Sequence, residues 1–208
     1  MIRDNHGIAA QAISLTFDDG PSEWTEAILD ALEAHGAAAT FFVLGCHVDG
    51  HPGTLKRAVA LGCELGCHGW SHRPFIELAD AELVEEIVAT CDAIERVAGR
   101  RPAYWRPPYF RADERVRAAI SSLGLEEVDC SNGPEDYLWS GAETARFVLE
   151  HLVPGDIVDL HDGRSAADTP EQSTLSREPT VEAVVEILGE LAARGFRSVS
   201  VSELLRLA

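Results

Sequence analysis

The chain of 208 residues is short of positive charge, with 17 lysines and arginines against 35 aspartates and glutamates and a formal net charge of −18. Nucleic acids and anionic membrane surfaces are held largely by positive charge, so neither is expected as a partner. No apolar run approaches the roughly 18 residues of a membrane span. The N-terminal segment 1–7 also lacks the apolar core of a signal peptide. The sequence therefore predicts a cytoplasmic protein with no membrane partner.

Cysteine is sparse as well, and its spacing is not that of a zinc ribbon. We expect the thiols to be reduced and mostly buried, because free cysteine is among the most buried residue types. Linkers, low-complexity runs, internal repeats and strong self-association motifs are also missing. These absences predict a single domain over residues 1–208 that is a monomer or a weak homo-oligomer. The five cysteines are Cys46, Cys63, Cys67, Cys91 and Cys130.

Short apolar runs typical of strands alternate with runs of helical periodicity. Seven strand candidates cover residues 12–17, 40–44, 64–67, 103–106, 125–131, 156–160 and 196–199. Helical patterns cover residues 22–35, 80–98, 113–123, 142–152 and 180–194. This alternation predicts an α/β protein with a parallel sheet, and an unbroken series of units favours a closed βα barrel over an open doubly wound sheet.

Two adjacent acids, Asp18 and Asp19, end the first predicted strand before Gly20 and Pro21. Neighbouring strand residues point to opposite sides, so one carboxylate can hold a metal while the other handles protons. A turn that merely solvates its acids is the alternative for this motif taken alone.

Two imidazoles, His68 and His72, follow the third predicted strand four residues apart. On one turn or a tight loop, both can reach a single ion. With a carboxylate from a neighbouring strand they would form a site that suits zinc, and also iron, cobalt or manganese. An exposed loop with two surface histidines is the alternative.

Two further motifs end the fourth and sixth predicted strands. Arg106 precedes two prolines and Tyr109, and an arginine there can fix and acidify a nearby carboxylate. His161 lies within Leu-His-Asp, and a histidine tuned near neutrality is the usual proton donor to a leaving group. Taken singly, each has a structural alternative: a surface arginine in a stiff turn, or a histidine bonded to backbone.

Together, Thr-Phe-Asp-Asp-Gly, His-x-x-x-His, Arg-Pro-Pro-Tyr and a late Leu-His-Asp resemble the polysaccharide deacetylase family, also called carbohydrate esterase family 4, over nearly the whole chain. The resemblance implies a distorted (β/α)7 barrel that holds a divalent metal. Zinc is the usual metal, with Co²⁺, Fe²⁺, Mn²⁺ or Ni²⁺ as alternatives. The implied reaction removes an N-acetyl group from an amino sugar, either an oligosaccharide or a biosynthetic intermediate.

The resemblance also implies a role for each motif residue. Asp18 would be the general base and His161 the general acid, while Asp19, His68 and His72 would bind the metal.

Four more residues would support that chemistry. Arg106 would orient the base, and the backbone N–H of Tyr109 would contact the oxyanion. The family's Asp-Trp pair, which supports the acid, falls on Asp136 and Tyr137.

The sequence departs from the family at four positions. Gly69 replaces a Ser or Thr, so a hydrogen bond in the metal loop is missing or comes from Ser71. Phe110 stands where Gly is frequent, and Cys130 stands near a frequent Trp. Asp159 replaces the Leu that lines the acetyl pocket.

An acid beside a methyl group is unfavourable unless it is solvated or paired. Asp159 would therefore mark an altered acyl pocket or contact a cationic or hydroxyl-bearing part of the substrate; alternatively it would turn away to an arginine such as Arg164. Trp70 is the candidate for stacking on a sugar, with a core position as its alternative. The same chemistry on an O-acetyl ester, an N-formyl group or a cyclic amide stays open, as does a non-catalytic binding protein on this fold.

Overall fold

The computed structural model describes residues 1–165 and 174–207. Its strands are β1 Ala12–Asp18, β2 Ala39–Val43, β3 Glu64–Cys67, β4 Tyr104–Trp105, β5 Glu126–Glu127, β6 Ile157–His161 and β7 Arg197–Ser198. Its helices are α1 Thr25–Ala34, α2 Gly45–Val48, α3 Pro52–Ala60, α4 Asp80–Ala98, α5 Glu114–Ser121, α6 Gly141–His151, α7 Glu178–Ala193 and α8 Val201–Leu205. Each predicted strand is found, with β4, β5 and β7 shorter than expected.

The strands form one parallel sheet in the order β5-β4-β3-β2-β1-β6, with β7 paired to β1. The sheet curls until residues just after β5 meet β6, where Ser131 N donates to Ile157 O at 3.0 Å. β7 pairs only with Ala12 and Ile13 at the start of β1. The Ser198 carbonyl of β7 also accepts from Ala38 N, just before β2. β7 is thus a short strand that contacts only the N-terminal end of the sheet. The predicted distorted (β/α)7 barrel is confirmed.

The two faces of the sheet are filled differently, because alternate residues of a strand point to opposite sides. In β1, Leu15 and Phe17 belong to the large core shared with the helices. Thr16 and Asp18 point into the barrel, where both accept from the Arg106 side chain. Below that arginine, Phe42 belongs to a smaller apolar cluster that includes residues of α8. The barrel is therefore apolar at its base and polar at the C-terminal ends of its strands.

The five predicted helices are found, and their ends lie within three residues of those expected. In α4, Leu83, Ile87, Cys91 and Ile94 are buried at three- and four-residue spacing, and Gly99 ends the helix in a left-handed conformation with φ 72°. The sequence did not predict α2, α3 and α8, which are short. No helix in the described ranges has both the length and the apolar composition needed to cross a membrane.

Candidate active site

A cavity of about 480 Å³ opens at the C-terminal ends of the strands. Nearly all the residues singled out in the sequence line it or contact its lining. The lining includes Asp18, Asp19, His68, His72, Asp159 and His161. The structure thus brings together side chains from β1, β6 and the loop that follows β3.

Asp19, His68 and His72 form a compact group of buried ligand atoms. Asp19 Oδ1 lies 3.5 Å from His68 Nε2 and 3.2 Å from His72 Nε2. His68 Nδ1 lies 2.9 Å from Arg106 O. Because a carbonyl only accepts, Nδ1 carries the proton and Nε2 keeps its lone pair for a metal. Burial also lowers the pKa of His68, which keeps the imidazole neutral. Two imidazoles and one carboxylate with room for further ligands fit a divalent ion such as zinc.

Glu86 of α4 holds the loop between the two histidines. Its Oε2 accepts from Trp70 N at 2.7 Å and Ser71 N at 3.0 Å, and its Oε1 accepts from Ser71 Oγ at 2.6 Å. Glu86 was not among the residues singled out from the sequence, although an acid on the buried face of α4 was a signal. The sequence left open whether the hydrogen bond lost at Gly69 is missing or comes from Ser71, and the Ser71 hydroxyl does donate within this loop, to Glu86. Gly69 itself has φ +85°, and a Cβ there would lie 2.8 Å from the Phe75 ring.

Arg106 is fully buried and connects the inner faces of β1 and β6. Its Nη1 donates to Thr16 Oγ1 at 2.8 Å, to Asp18 Oδ1 at 2.9 Å and to Asp159 Oδ1 at 2.8 Å. The predicted pairing of Arg106 with a carboxylate is therefore present, but two carboxylates share one guanidinium nitrogen. The guanidinium also packs over the Phe42 ring at 4.3 Å.

The two acids that share Arg106 have pKa values displaced in opposite directions. Burial opposes ionisation of Asp18, but Arg106, His68 and His161 together hold its pKa below the ordinary value. Burial and the Asp18 carboxylate raise the pKa of Asp159 to about 8, although Arg106 acts against them. The lowered pKa of Asp18 thus favours its ionised form at neutral pH, whereas Asp159 retains a proton.

His161 is held by Asp136. His161 Nδ1 lies 2.8 Å from Asp136 Oδ1, and Asp136 Oδ2 accepts from the His161 backbone N–H and from Thr180 Oγ1. Burial alone would lower the pKa of His161, but the Asp136 carboxylate outweighs it and raises that pKa to about 10. His161 is therefore protonated at neutral pH and directs its other nitrogen away from Asp136. Thr180 is a further contributor that sequence reasoning missed.

Aromatic side chains wall the cavity. The Tyr109 ring lies 4.6 Å from that of His72, and the Tyr137 ring meets His161 edge-on at 5.2 Å. Tyr109 and Phe110 have positive φ values of 59° and 54°. Such conformations are unfavourable for residues with a Cβ, and they cluster at functional sites.

Two interpretations from the sequence need correction. Trp70 does not line this cavity: its ring packs against Gly45, where a Cβ would lie 2.3 Å from the ring. It faces a separate cleft that includes Arg73 and Glu82, because the loop turns at Gly69. Arg164 does not pair with Asp159; it pairs with Glu23 at 2.9 Å and packs over Trp24.

Comparison with known proteins gives consistent matches. A family model for polysaccharide deacetylase matches residues 7–128. The peptidoglycan-N-acetylmuramic acid deacetylase of Bacillus subtilis (strain 168) is 35% identical over 198 residues, which cover 93% of this chain and 38% of that protein. The chain thus spans less than two fifths of that relative. The chitooligosaccharide deacetylase of Bradyrhizobium sp. (strain ANU 289) is 34% identical over 206 residues, covering 94% of this chain and 92% of that protein.

A solved structure agrees with these matches. The family 4 acetyl xylan esterase from Clostridium thermocellum, in complex with a cobalt ion, has a TM-score of 0.82 and 30% sequence identity. The alignment covers 94% of this chain and 91% of that one.

Proposed function

This chain belongs to the polysaccharide deacetylase family, and on that premise we propose that it is a metal-dependent hydrolase that removes the N-acetyl group from an amino sugar. The observation that carries the proposal is that Asp18, with a lowered pKa, and a protonated His161 line the same cavity as the group of metal-ligating side chains. Amide hydrolysis needs a base for the attacking water and an acid for the departing amine, and these two residues match those needs.

Asp19, His68 and His72 would hold the metal. A divalent ion bound there would lower the pKa of a water molecule and polarise the amide carbonyl. Asp18 would accept the proton of the attacking water, because Arg106 keeps it ionised and oriented. The backbone N–H of Tyr109 is the proposed donor to the oxyanion that develops on the carbonyl oxygen.

His161 would then protonate the departing nitrogen as the C–N bond breaks, which gives a carboxylate and a free amine. Asp136 would hold the imidazole in one tautomer and orientation, as the shared hydrogen bonds to its carboxylate indicate. Because this acid is charged before reaction, proton transfer to the amine needs no prior uptake from solvent.

The proposed substrate is a saccharide, held at a cavity that opens at the end of the barrel. The relatives are named for deacetylation of chitooligosaccharide and of peptidoglycan N-acetylmuramic acid. The strongly acidic chain favours a neutral or cationic sugar chain over a polyanion.

A second candidate reaction is hydrolysis of an O-acetyl ester, which the similarity to an acetyl xylan esterase favours. The same base and metal ligands would serve. An alkoxide leaving group would also take its proton from His161.

The test is release of acetate and free amine from chitooligosaccharides by the zinc-loaded protein, compared with its Asp18→Asn variant and with protein treated with a chelator. We expect turnover that the substitution lowers by at least about a hundredfold and that added Zn²⁺ restores after chelation. Glu23→Gln, a change to an exposed acid outside the cavity, is the matched control and should leave the rate unchanged. Equal rates for wild type and Asp18→Asn would refute the proposed base.

A further inference from the structure

We propose that the floor of the cavity is built for a hydroxylated acyl group, so that the protein hydrolyses an N-glycolyl amino sugar faster than its N-acetyl counterpart. The inference rests on the proposed function and extends it from the sugar to the acyl group. The side chain that carries it is Asp159.

The register of the sheet places Asp159 beneath the reacting groups. Asp18 pairs with His161 across β1 and β6, and Thr16 pairs with Asp159 two residues earlier. Two residues along a strand correspond to about 7 Å. The Asp159 backbone therefore lies about 7 Å deeper in the barrel than the backbone of the base and the acid, although Asp159 Oδ1 and Asp18 Oδ1 accept from the same Arg106 nitrogen.

That depth identifies the part of the substrate that reaches Asp159. In the proposed binding pose the sugar stays at the mouth of the cavity. When the amide carbonyl lies between Asp18 and His161, the acyl carbon is the substituent that points inward. The terminal atom of a two-carbon acyl group would then approach the floor.

One oxygen of Asp159 is available to such a group. Oδ1 accepts from Arg106 Nη1 at 2.8 Å, and within the described part of the chain no second hydrogen bond to this carboxyl group is found. The side chain lines the cavity and is only 4% exposed. A buried carboxyl oxygen that faces a methyl group is unfavourable, whereas a hydroxyl would satisfy it.

The surroundings leave space for a hydroxyl. Gly133 lines the cavity next to Asp159, and a Cβ at Gly133 would lie 3.2 Å from Cys130 Sγ and 3.9 Å from Asp159 Cβ. No side chain at position 133 therefore covers Asp159. The raised pKa of Asp159 means that its carboxyl group can donate to the hydroxyl oxygen as well as accept from it.

The reaction itself is unchanged. Water adds to the carbonyl carbon and gives one proton to Asp18, the C–N bond breaks, and His161 supplies a proton to the nitrogen. The products are glycolate and the free amine of the sugar.

The experiment compares kcat/KM for the trimer of N-acetylglucosamine with that for its N-glycolyl counterpart, using zinc-loaded wild type, Asp159→Leu and Asp159→Asn. The ratio of the two substrates within one variant cancels any effect of the substitution on Arg106 and Asp18. Wild type should favour the glycolyl amide by about tenfold or more, because a buried polar group left unpaired penalises the analogue without the hydroxyl.

Asp159→Leu should bring the ratio below one, and Asp159→Asn, which retains hydrogen-bonding atoms, should keep a preference for glycolyl. Cys130→Ala changes the floor without removing the carboxyl group and should leave the ratio above one. If Asp159→Leu does not fold, the glycolyl-to-acetyl ratios of kcat/KM for wild type and for Asp159→Asn decide whether the inference holds.

Hydrolysis of the acetyl amide at a rate equal to or above that of the glycolyl amide by wild type would overturn this inference while leaving the proposed function intact. Hydrolysis of neither amide would refute both.

Discussion

Asp136→Asn is the change that tests the acid most directly. The substitution keeps the shape of the side chain and removes its negative charge. Asp136 Oδ1 lies 2.8 Å from His161 Nδ1, while Oδ2 accepts from the His161 backbone and from Thr180. If the amide oxygen keeps the bonds to the backbone N–H and to Thr180, the NH₂ faces His161 Nδ1, which can accept a hydrogen bond only in a neutral imidazole that carries its proton on Nε2. We therefore expect a folded variant in which a charged imidazole has lost its hydrogen bond to residue 136.

The larger effect is on protonation. The pKa of His161 is raised from 6.5 to about 10 in the protein, which corresponds to about 5 kcal/mol in favour of the imidazolium. Burial acts in the opposite direction and remains after the substitution. Asp159 and Asp19 also raise the pKa of His161 and remain, but Asp136 is the largest cause of the increase, so the pKa in the variant should fall well below about 10. A smaller fraction of the imidazole would then be protonated at pH 8.

The assay is the pH dependence of kcat with a chitooligosaccharide, measured by amine release. In wild type, activity that depends on protonated His161 is present below its pKa and is lost as the pH rises through about 10. In Asp136→Asn, the loss should come at least two pH units lower. The rate at pH 8 should fall by about 10²–10⁴-fold, with partial recovery at pH 6.

Two controls separate charge from structure. Glu135→Gln removes a charge from the exposed neighbouring residue and should leave the loss of activity at high pH where it is in wild type. Thr180→Val removes one hydrogen bond to Asp136 without removing the Asp136 charge. It should lower the pH at which activity is lost by less than Asp136→Asn does. If a folded Asp136→Asn protein loses activity at the same high pH as wild type, then His161 is not the acid whose deprotonation causes that loss.

Three other predictions follow from the site. Glu86→Gln should weaken zinc affinity by about 10–100-fold in a competition titration, because the carboxylate that holds the loop at Ser71 loses its charge. An unchanged affinity would exclude a role of Glu86 in positioning the metal-binding loop. Glu85→Gln, at the exposed neighbouring residue, is the control. Gly69→Ser, which introduces the hydroxyl usual in the family, should lower the free energy of unfolding by about 1–3 kcal/mol in urea. The reason is that φ is +85° at this position and a Cβ would lie close to the Phe75 ring. An unfolding free energy equal to that of wild type would contradict this strain. Asp159→Asn should raise the melting temperature more at pH 8.5 than at pH 5. The folded pKa of about 8 lies above the ordinary 3.8, so between those values the unfolded wild type is ionised while the folded protein stays protonated, and folding stability falls as the pH rises. Equal changes at both pH values would count against a protonated Asp159.

Much of the site could be predicted because its residues lie where strands end. Asp18, Asp19, His161 and the histidines after β3 all follow buried strands, and a parallel sheet brings those ends to one side. Adjacency along one short loop likewise made it reasonable to pair His68 with His72. The roles inferred from the resemblance stay predictions until activity is measured.

The errors concern long-range neighbours. For Asp159 the sequence left open a contact with the substrate or a pairing with an arginine such as Arg164. The actual partner, Arg106, is set by the register between strands and by which residues point inward, and neither is encoded in local spacing. Trp70 was the candidate for stacking on a sugar because it lies within the metal loop, but the left-handed turn at Gly69 directs its ring toward Gly45 and α4 instead.

The distribution of the site along the chain has a consequence for its assembly. Asp18, Asp19, His68 and His72 all come from β1, β3 and the loops that follow them, so short loop closures bring them together. Asp136 and His161 join them only when β6 docks beside β1, which closes a much longer stretch of chain and is entropically slower. A partly folded chain would therefore capture a metal ion before it could hydrolyse anything. Recovery of ion binding during refolding should precede recovery of turnover.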